Sequence, residues 1–164
     1  MELRPASSQD LEALVAVQEA GAVAALGHIF PQDEHPFPRE VVRRRWAAEL
    51  ADPDIAVYVC TDEAGSITGF AALRGDELLH FGTAPRTWGS GLAARLHDAL
   101  LSSLPVSVTR CRLRVFSGNR RARRFYENCG WTCTGEVTRS TFPPHPELVA
   151  YTRARSPAVE VGSE

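Results

Sequence analysis

Residues 86–94 read RTWGSGLAA and run directly into RLHDALLSSL, so two glycines stand two positions apart where a helix begins. Inside a helix glycine costs roughly 1 kcal/mol relative to alanine, so the pair belongs at the start rather than the interior. There it allows another group to approach the backbone and leaves the first-turn amides without intrahelical partners. Free N–H groups at the positive end of a helix dipole attract an anion, and a phosphate suits them. Gly89 and Gly91 would open the backbone, and Ser90 would add a hydroxyl donor. A tight turn accounts for the same glycines with no ligand at all. The segment is not a P-loop, because no Gly-Lys-Ser/Thr follows, and it lacks the third glycine of a dinucleotide fingerprint.

Other reactive side chains carry weaker signals. Cys60, Cys111, Cys129 and Cys133 show none of the strong metal spacings, which leaves reduced thiols packed in strands or at helix ends. His28, Asp33, Glu34 and His35 cluster in a proline-bounded loop with poor ligand spacing. No metal is expected. Arg120, Arg121, Arg123 and Arg124 read as a solvated helix face, one or two of which could meet a phosphate or an adenine. Trp46, Trp88 and Trp131 read as packing residues.

The elements that must position these residues can be traced along the chain. ELRPAS is a short strand, and Ser7 or Ser8 caps a helix through LEALVAVQEAGAVAAL. Three prolines make GHIFPQDEHPFP a loop before the helix REVVRRRWAAELA. IAVYVCT, ITGFAALR and DELLHFGT are strands, the last two joined by a tight turn at Gly75–Asp76. A helix from Gly91 to about Ser103, the strand VTRCRLRVF and a helix from Asn119 to a Gly130 stop follow. WTCTGEVTRS and HPELVAYTRA are the last two strands, giving about seven strands and four helices in one α+β domain over residues 1–154. Residues 155–164 read as a flexible tail.

Composition sets the outer bounds. With 164 residues, 44% hydrophobic and 23% charged, the chain suits one globular domain with a proper core. A net charge of −2 gives no basis for nucleic-acid or membrane partners, and no apolar run or leader pattern is visible. A cytoplasmic protein is expected. The alanine- and arginine-rich composition suggests a bacterial gene of high GC content.

The stretches TAPRTWGSGLAARL and LRVFSGNRRARRFYENCGW together resemble the GNAT superfamily of acyl-CoA-dependent N-acyltransferases. The family's Gln/Arg-x-x-Gly-x-Gly/Ala pattern is laid on WGSGLA, with Gly91 and Ala93 in the small positions and Trp88 departing from Gln or Arg. Its second pattern falls without a gap on Asn119, Ala122, Phe125, Tyr126, Gly130 and Trp131. The resemblance spans the first strand to residue 154. It implies a mixed, mostly antiparallel central sheet whose glycine-side strand splays from its neighbour to admit the pantetheine arm of acetyl-CoA.

On that reading the backbone of Phe81, Gly82 and Thr83 binds the pantetheine amides. The N–H groups of Gly89, Ser90, Gly91, Leu92, Ala93 and Ala94 take the pyrophosphate. Asn119 caps its helix toward the pantetheine, and the Tyr126 hydroxyl faces the sulfur. An amine then attacks the thioester directly in a ternary complex, with Tyr126 as the general acid for the departing thiolate and a backbone N–H near Phe81 for the oxyanion.

Glu77 falls where histone-type members carry a glutamate base. His80 is a second candidate, placed by strand alternation on the opposite face, and a chain of water is a third. Arg114 stands where some members have a glutamate, which closes that route. The loop between the first two helices, and TFPPHPEL, would line the acceptor pocket. The acceptor would be a small-molecule or peptide amine, and the family also implies a possible homodimer. A non-catalytic acyl-CoA-binding module of the same fold is the alternative, and an arginine-rich interaction protein a third reading.

Overall fold

The computed structural model describes residues 1–156. Seven strands form one sheet in the order β1-β2-β3-β4-β5-β7-β6, where β1 is Glu2–Pro5, β2 Ile55–Thr61, β3 Ile67–Arg74, β4 Glu77–Thr83, β5 Arg110–Phe116, β6 Thr132–Arg139 and β7 Glu147–Ala154. All pairings are antiparallel except β4 with β5. Four α-helices cover the sheet: α1 Leu11–Ala25, α2 Arg39–Ala51, α3 Leu92–Ser103 and α4 Arg120–Asn128. Every strand and helix expected from the sequence is present. The boundaries of α2, β2 and β3 match the quoted segments residue for residue.

Burial explains why the two faces differ. On one side Leu14 and Val15 of α1 and Val42 and Trp46 of α2 pack on Val57, Val59, Phe70 and Ala72. On the other, Leu100 and Leu101 of α3 and Tyr126 of α4 pack on Ala71, Leu78, Cys111, Leu113 and Val115. β3 lies in the middle and is buried on both faces until Arg74. Its composition, β-branched and aromatic with small residues, suits that double burial. Before α1, a short 3-10 turn is closed by Ser7 N donating to Asp10 Oδ2 at 2.8 Å. Asp10 is also paired with Arg4, and that guanidinium holds its carboxyl down at about 2.

The decisive feature lies in the middle of the sheet. β4 and β5 are in register over only two positions, Glu77 with Arg112 and Leu78 with Leu113. Beyond them β4 continues paired only to β3, and β5 only to β7. The sheet therefore splits at its one parallel junction, with the opening toward the C-terminal ends of both strands. β4 also carries a bulge: His80 pairs with Ala72 and Leu78 with Leu73, leaving Leu79 over. One extra residue reverses the alternation. Glu77 and His80, expected on opposite faces, share the α1/α2 face, while Leu78 and Phe81 share the α3/α4 face.

Residue 155 departs from the tail expectation. Arg155 N donates to Thr109 O, and its guanidinium donates to Val108 O at 2.7 Å and Pro105 O at 2.8 Å, tying the end of β7 to the α3–β5 connection. The rest of the expected tail, residues 157–164, lies outside the described residues. Among the described residues no helix is long and apolar enough to cross a membrane.

Candidate active site

The glycine segment ends β4 and starts α3 just at the split. Gly91 is the N-cap of α3 at φ 80°, and Gly89 lies at φ 83°; both need the left-handed region that glycine occupies without penalty. Ala93 sits inside the first helical turn instead. The family pattern is therefore better read two residues earlier, as Arg86-x-x-Gly89-x-Gly91, which restores the arginine and places both small positions where the backbone requires them. The paired positive-φ glycines are the signal that favours this frame.

The amides expected to form a cradle divide into two sets. Ser90 N donates to Thr87 O at 3.1 Å, and Leu92 N lies 3.3 Å from Ser90 Oγ. The Ser90 hydroxyl itself donates to Thr87 O at 2.6 Å, so this residue stabilises the turn rather than offering a donor. The N–H groups of Gly89, Gly91, Ala93 and Ala94 have no acceptor among the described residues. These four open amides fall within one six-residue stretch at a helix start, beside Arg95, which donates to Ser90 O.

Along β4, Ala84 N donates to Thr68 O, so ladder alternation directs Gly82 inward to Phe70 on β3. Phe81 and Thr83 then turn their amides and carbonyls toward the edge that β5 has left. Thr83 O takes one bond from Trp88 Nε1 at 3.1 Å. Gly82, expected to bind a ligand through its backbone, is instead required for steric reasons, since a Cβ there would stand 2.6 Å from the Phe70 ring. Trp88 does more than pack, because the Arg121 guanidinium from α4 stacks 3.6 Å from its ring centroid and spans the mouth of the split. The remaining arginine face is partly engaged too, since Arg123 donates to Tyr151 Oη and Ser117 O.

α4 starts and stops as expected. Asn119 Oδ1 accepts from Ala122 N at 3.1 Å. At the other end, Gly130 at φ 86° lets Trp131 N reach Tyr126 O and Gly130 N reach Glu127 O, a Schellman closure that fixes Tyr126 in the last turn. The Tyr126 ring lies among Phe81, Phe125, Trp131 and Tyr151, with centroids 5.4–6.5 Å away. Its hydroxyl has no hydrogen-bond partner among the described residues, yet it is not sealed from solvent. Burial pushes this phenol far above its ordinary range, so it stays protonated. Behind it, Trp131 Nε1 donates to His97 Nε2 at 2.9 Å, and His97 Nδ1 lies 3.0 Å from Asp98. His97 is fully buried and had no sequence motif to mark it.

Glu77 is brought elsewhere. It stands at the closed end of the split, with Arg112 at 3.4 Å and Arg114 at 3.9 Å, roughly 13 Å along β4 from Phe81 at ~3.3 Å per residue. His80 sits two residues past the last paired position, 2.9 Å from Glu49 on α2. The α1–α2 loop closes the same side, with Phe30 edge-on to Phe116 at 5.3 Å and His28 Nε2 2.8 Å from Gly118 O. Phe142 of the β6–β7 loop packs on the cluster beneath α1 and α2. Among the described residues no group of three His, Cys, Asp or Glu side chains is placed to hold a metal.

The split between two parallel strands thus exposes unpaired strand-edge backbone groups, and the helix start beside it offers open amides of the kind that attract anions. Residues 13–131 match the model of the Acetyltransferase (GNAT) family. The chain belongs to the GNAT family. Its fold agrees with solved GNAT structures. A GCN5-related N-acetyltransferase from Rhodopseudomonas palustris is 19% identical, covers 94% of this chain and 95% of its own, and superposes with a TM-score of 0.76. A ribosomal-protein alanine N-acetyltransferase from Escherichia coli is 17% identical over 99% of both chains, with a TM-score of 0.71. The spermidine N-acetyltransferase of Vibrio cholerae, in complex with CoA and spermine, is 17% identical over 95% of this chain and 96% of its own, with a TM-score of 0.70. No curated protein matches the sequence. At these identities the likeness to solved structures establishes the GNAT fold, and the substrate must be read from the site itself.

Proposed function

We propose that this protein transfers the acetyl group of acetyl-CoA to a primary amine of a small molecule or peptide, by direct attack within a ternary complex. The observation that carries the reading is the split itself. Its α3/α4 face carries a protonated Tyr126 hydroxyl with no partner among the described residues, next to Phe81, together with the strand-edge backbone groups of Phe81 and Thr83 and, at the start of α3, the open amides of Gly89, Gly91, Ala93 and Ala94. These groups fit acetyl-CoA in sequence along its length. The amides would hold the pyrophosphate by helix-terminus binding, and the β4 edge would pair with the pantetheine amides. Arg121 and Arg95 are the nearby cations for the phosphates.

The amine would enter from the α1/α2 face, past Phe30 and Phe116. Its nitrogen attacks the thioester carbonyl, the C–N bond forms, and the oxyanion is held by a strand-edge N–H such as that of Phe81. When the C–S bond breaks, the Tyr126 phenol supplies the thiolate's proton. None of the four cysteines is required as a nucleophile. Glu77, bridged by two guanidinium groups at the closed end, is left without a part in proton transfer.

Titration with acetyl-CoA and with its dephospho analogue tests the cofactor half, and amine-dependent thiol release tests the chemistry. Micromolar binding that weakens without the phosphate, with release on addition of an amine panel, is expected. Binding without release would identify an acyl-CoA-binding module, and no binding at millimolar ligand would remove the reading.

A further inference from the structure

Opposite Tyr126, the α1/α2 face of the split carries a second reactive group. His80 Nε2 lies 2.9 Å from Glu49 Oε1. As a carboxylate Glu49 can only accept, so this bond sets the Nε2–H tautomer and leaves the lone pair on Nδ1. Nδ1 has no partner among the described residues, and it is not closed off from solvent. The ring is clamped by Trp46, 4.8 Å away between centroids, and Trp46 is itself held by a 2.6 Å bond from Nε1 to Gln18 Oε1. The bulge at Leu79 is what turns His80 to this face, just past the point where β4 and β5 part.

We propose that His80 is the catalytic base of this site, accepting the acceptor's ammonium proton at Nδ1, with Glu49 as its positioning residue. The inference rests on the acetyltransferase reading above. Of the two protons the nitrogen gives up, one is taken up by His80, held there through the attack, and passes to water afterwards. The other leaves as the C–N bond forms and replaces the proton that Tyr126 delivers to the thiolate as the C–S bond breaks. The charged groups facing His80 are Glu49 and Arg45 of α2. α1 contributes the neutral Gln18 to the cluster and β3 contributes Ala72, while Glu77 on the same face is committed to Arg112 and Arg114. Burial lowers the imidazole's pKa, Arg45 acts in the same direction, and the bond to Glu49 opposes both. The ring is therefore in its accepting form at neutral pH. Among the described residues Glu49 Oε2 and Arg45 Nε are buried without hydrogen-bond partners, with Arg45 Nε 3.8 Å from Glu49 Oε1.

The test is the pH profile of kcat/KM for an amine that the wild type acetylates. Above the imidazole pKa the wild type should be nearly level. His80→Gln should lose about 10²–10⁴-fold at pH 7 and recover about tenfold per pH unit toward the amine's own pKa, with acetyl-CoA affinity unchanged. Glu49→Gln should lose less and move the acidic limb to lower pH, because the carboxylate no longer favours the imidazolium. Wild-type rate and profile in His80→Gln would overturn the proposal while leaving the transferase reading intact. A wild type silent toward the whole amine panel would overturn both. Should His80→Gln fail to fold, nitrogen NMR of the wild-type ring decides: an Nε2–H tautomer supports the base, and an Nδ1–H tautomer contradicts it.

Discussion

The two faces of the split are built from opposite materials. The α3/α4 face is an aromatic box in which the Tyr126 hydroxyl has no partner among the described residues. The α1/α2 face is a polar cluster in which His80, Glu49, Arg45, Trp46 and Gln18 are bound to one another. An apolar surround keeps a phenol neutral and able to donate, whereas a carboxylate partner fixes an imidazole with one free lone pair. The proposed acid and base thus lie on opposite faces of a sheet whose β4–β5 ladder has already parted at this point. In the proposed reaction sulfur receives its proton from one face and the ammonium loses its first proton to the other.

The comparison breaks first at Tyr126. Tyr126→Phe removes the donor from the aromatic face only, so kcat should fall about 10²–10³-fold while acetyl-CoA affinity changes by less than about twofold. Equal losses in binding and turnover would mean that the hydroxyl anchors the ligand. A smaller effect is expected at Gly89→Ala. A Cβ there meets nothing within 4 Å, so only the φ of 83° is strained. Re-aimed amides should weaken acetyl-CoA binding about 3–10-fold, with a stability loss of about 1 kcal/mol. The smallest effect on ligand binding is that of Trp131→Phe, which leaves His97 Nε2 buried and unpartnered behind Tyr126. It should cost about 1–3 kcal/mol in denaturant unfolding while altering acetyl-CoA binding little.

Much of this was legible in the sequence because it is local. Asn119 as cap, Gly130 as stop and Tyr126 between them follow from side-chain and backbone chemistry within one helix. The glycines at 89 and 91 likewise declared a helix start, although the family pattern laid on Trp88, Gly91 and Ala93 reads better two residues earlier on Arg86, Gly89 and Gly91. What was illegible depends on pairing between distant segments. The Leu79 bulge follows from the register of β3 against β4 and has no mark in LLHF, so strict alternation misplaced His80 relative to Glu77. Glu49 reads as one more charged residue on an amphipathic helix until α2 is docked on β4. His97, Arg121 and the spent hydroxyl of Ser90 are findings of the same kind, each settled by a partner that composition cannot name.

The most direct test of the whole arrangement is a structure of the protein with acetyl-CoA bound. The thioester sulfur should lie within hydrogen-bond reach of the Tyr126 hydroxyl, the pyrophosphate on the amides of Gly89, Gly91, Ala93 and Ala94, and the carbonyl carbon on the path toward His80. A ligand seated instead in the open groove between Arg4, Asp62 and Arg86, with nothing bound in the split, would contradict it.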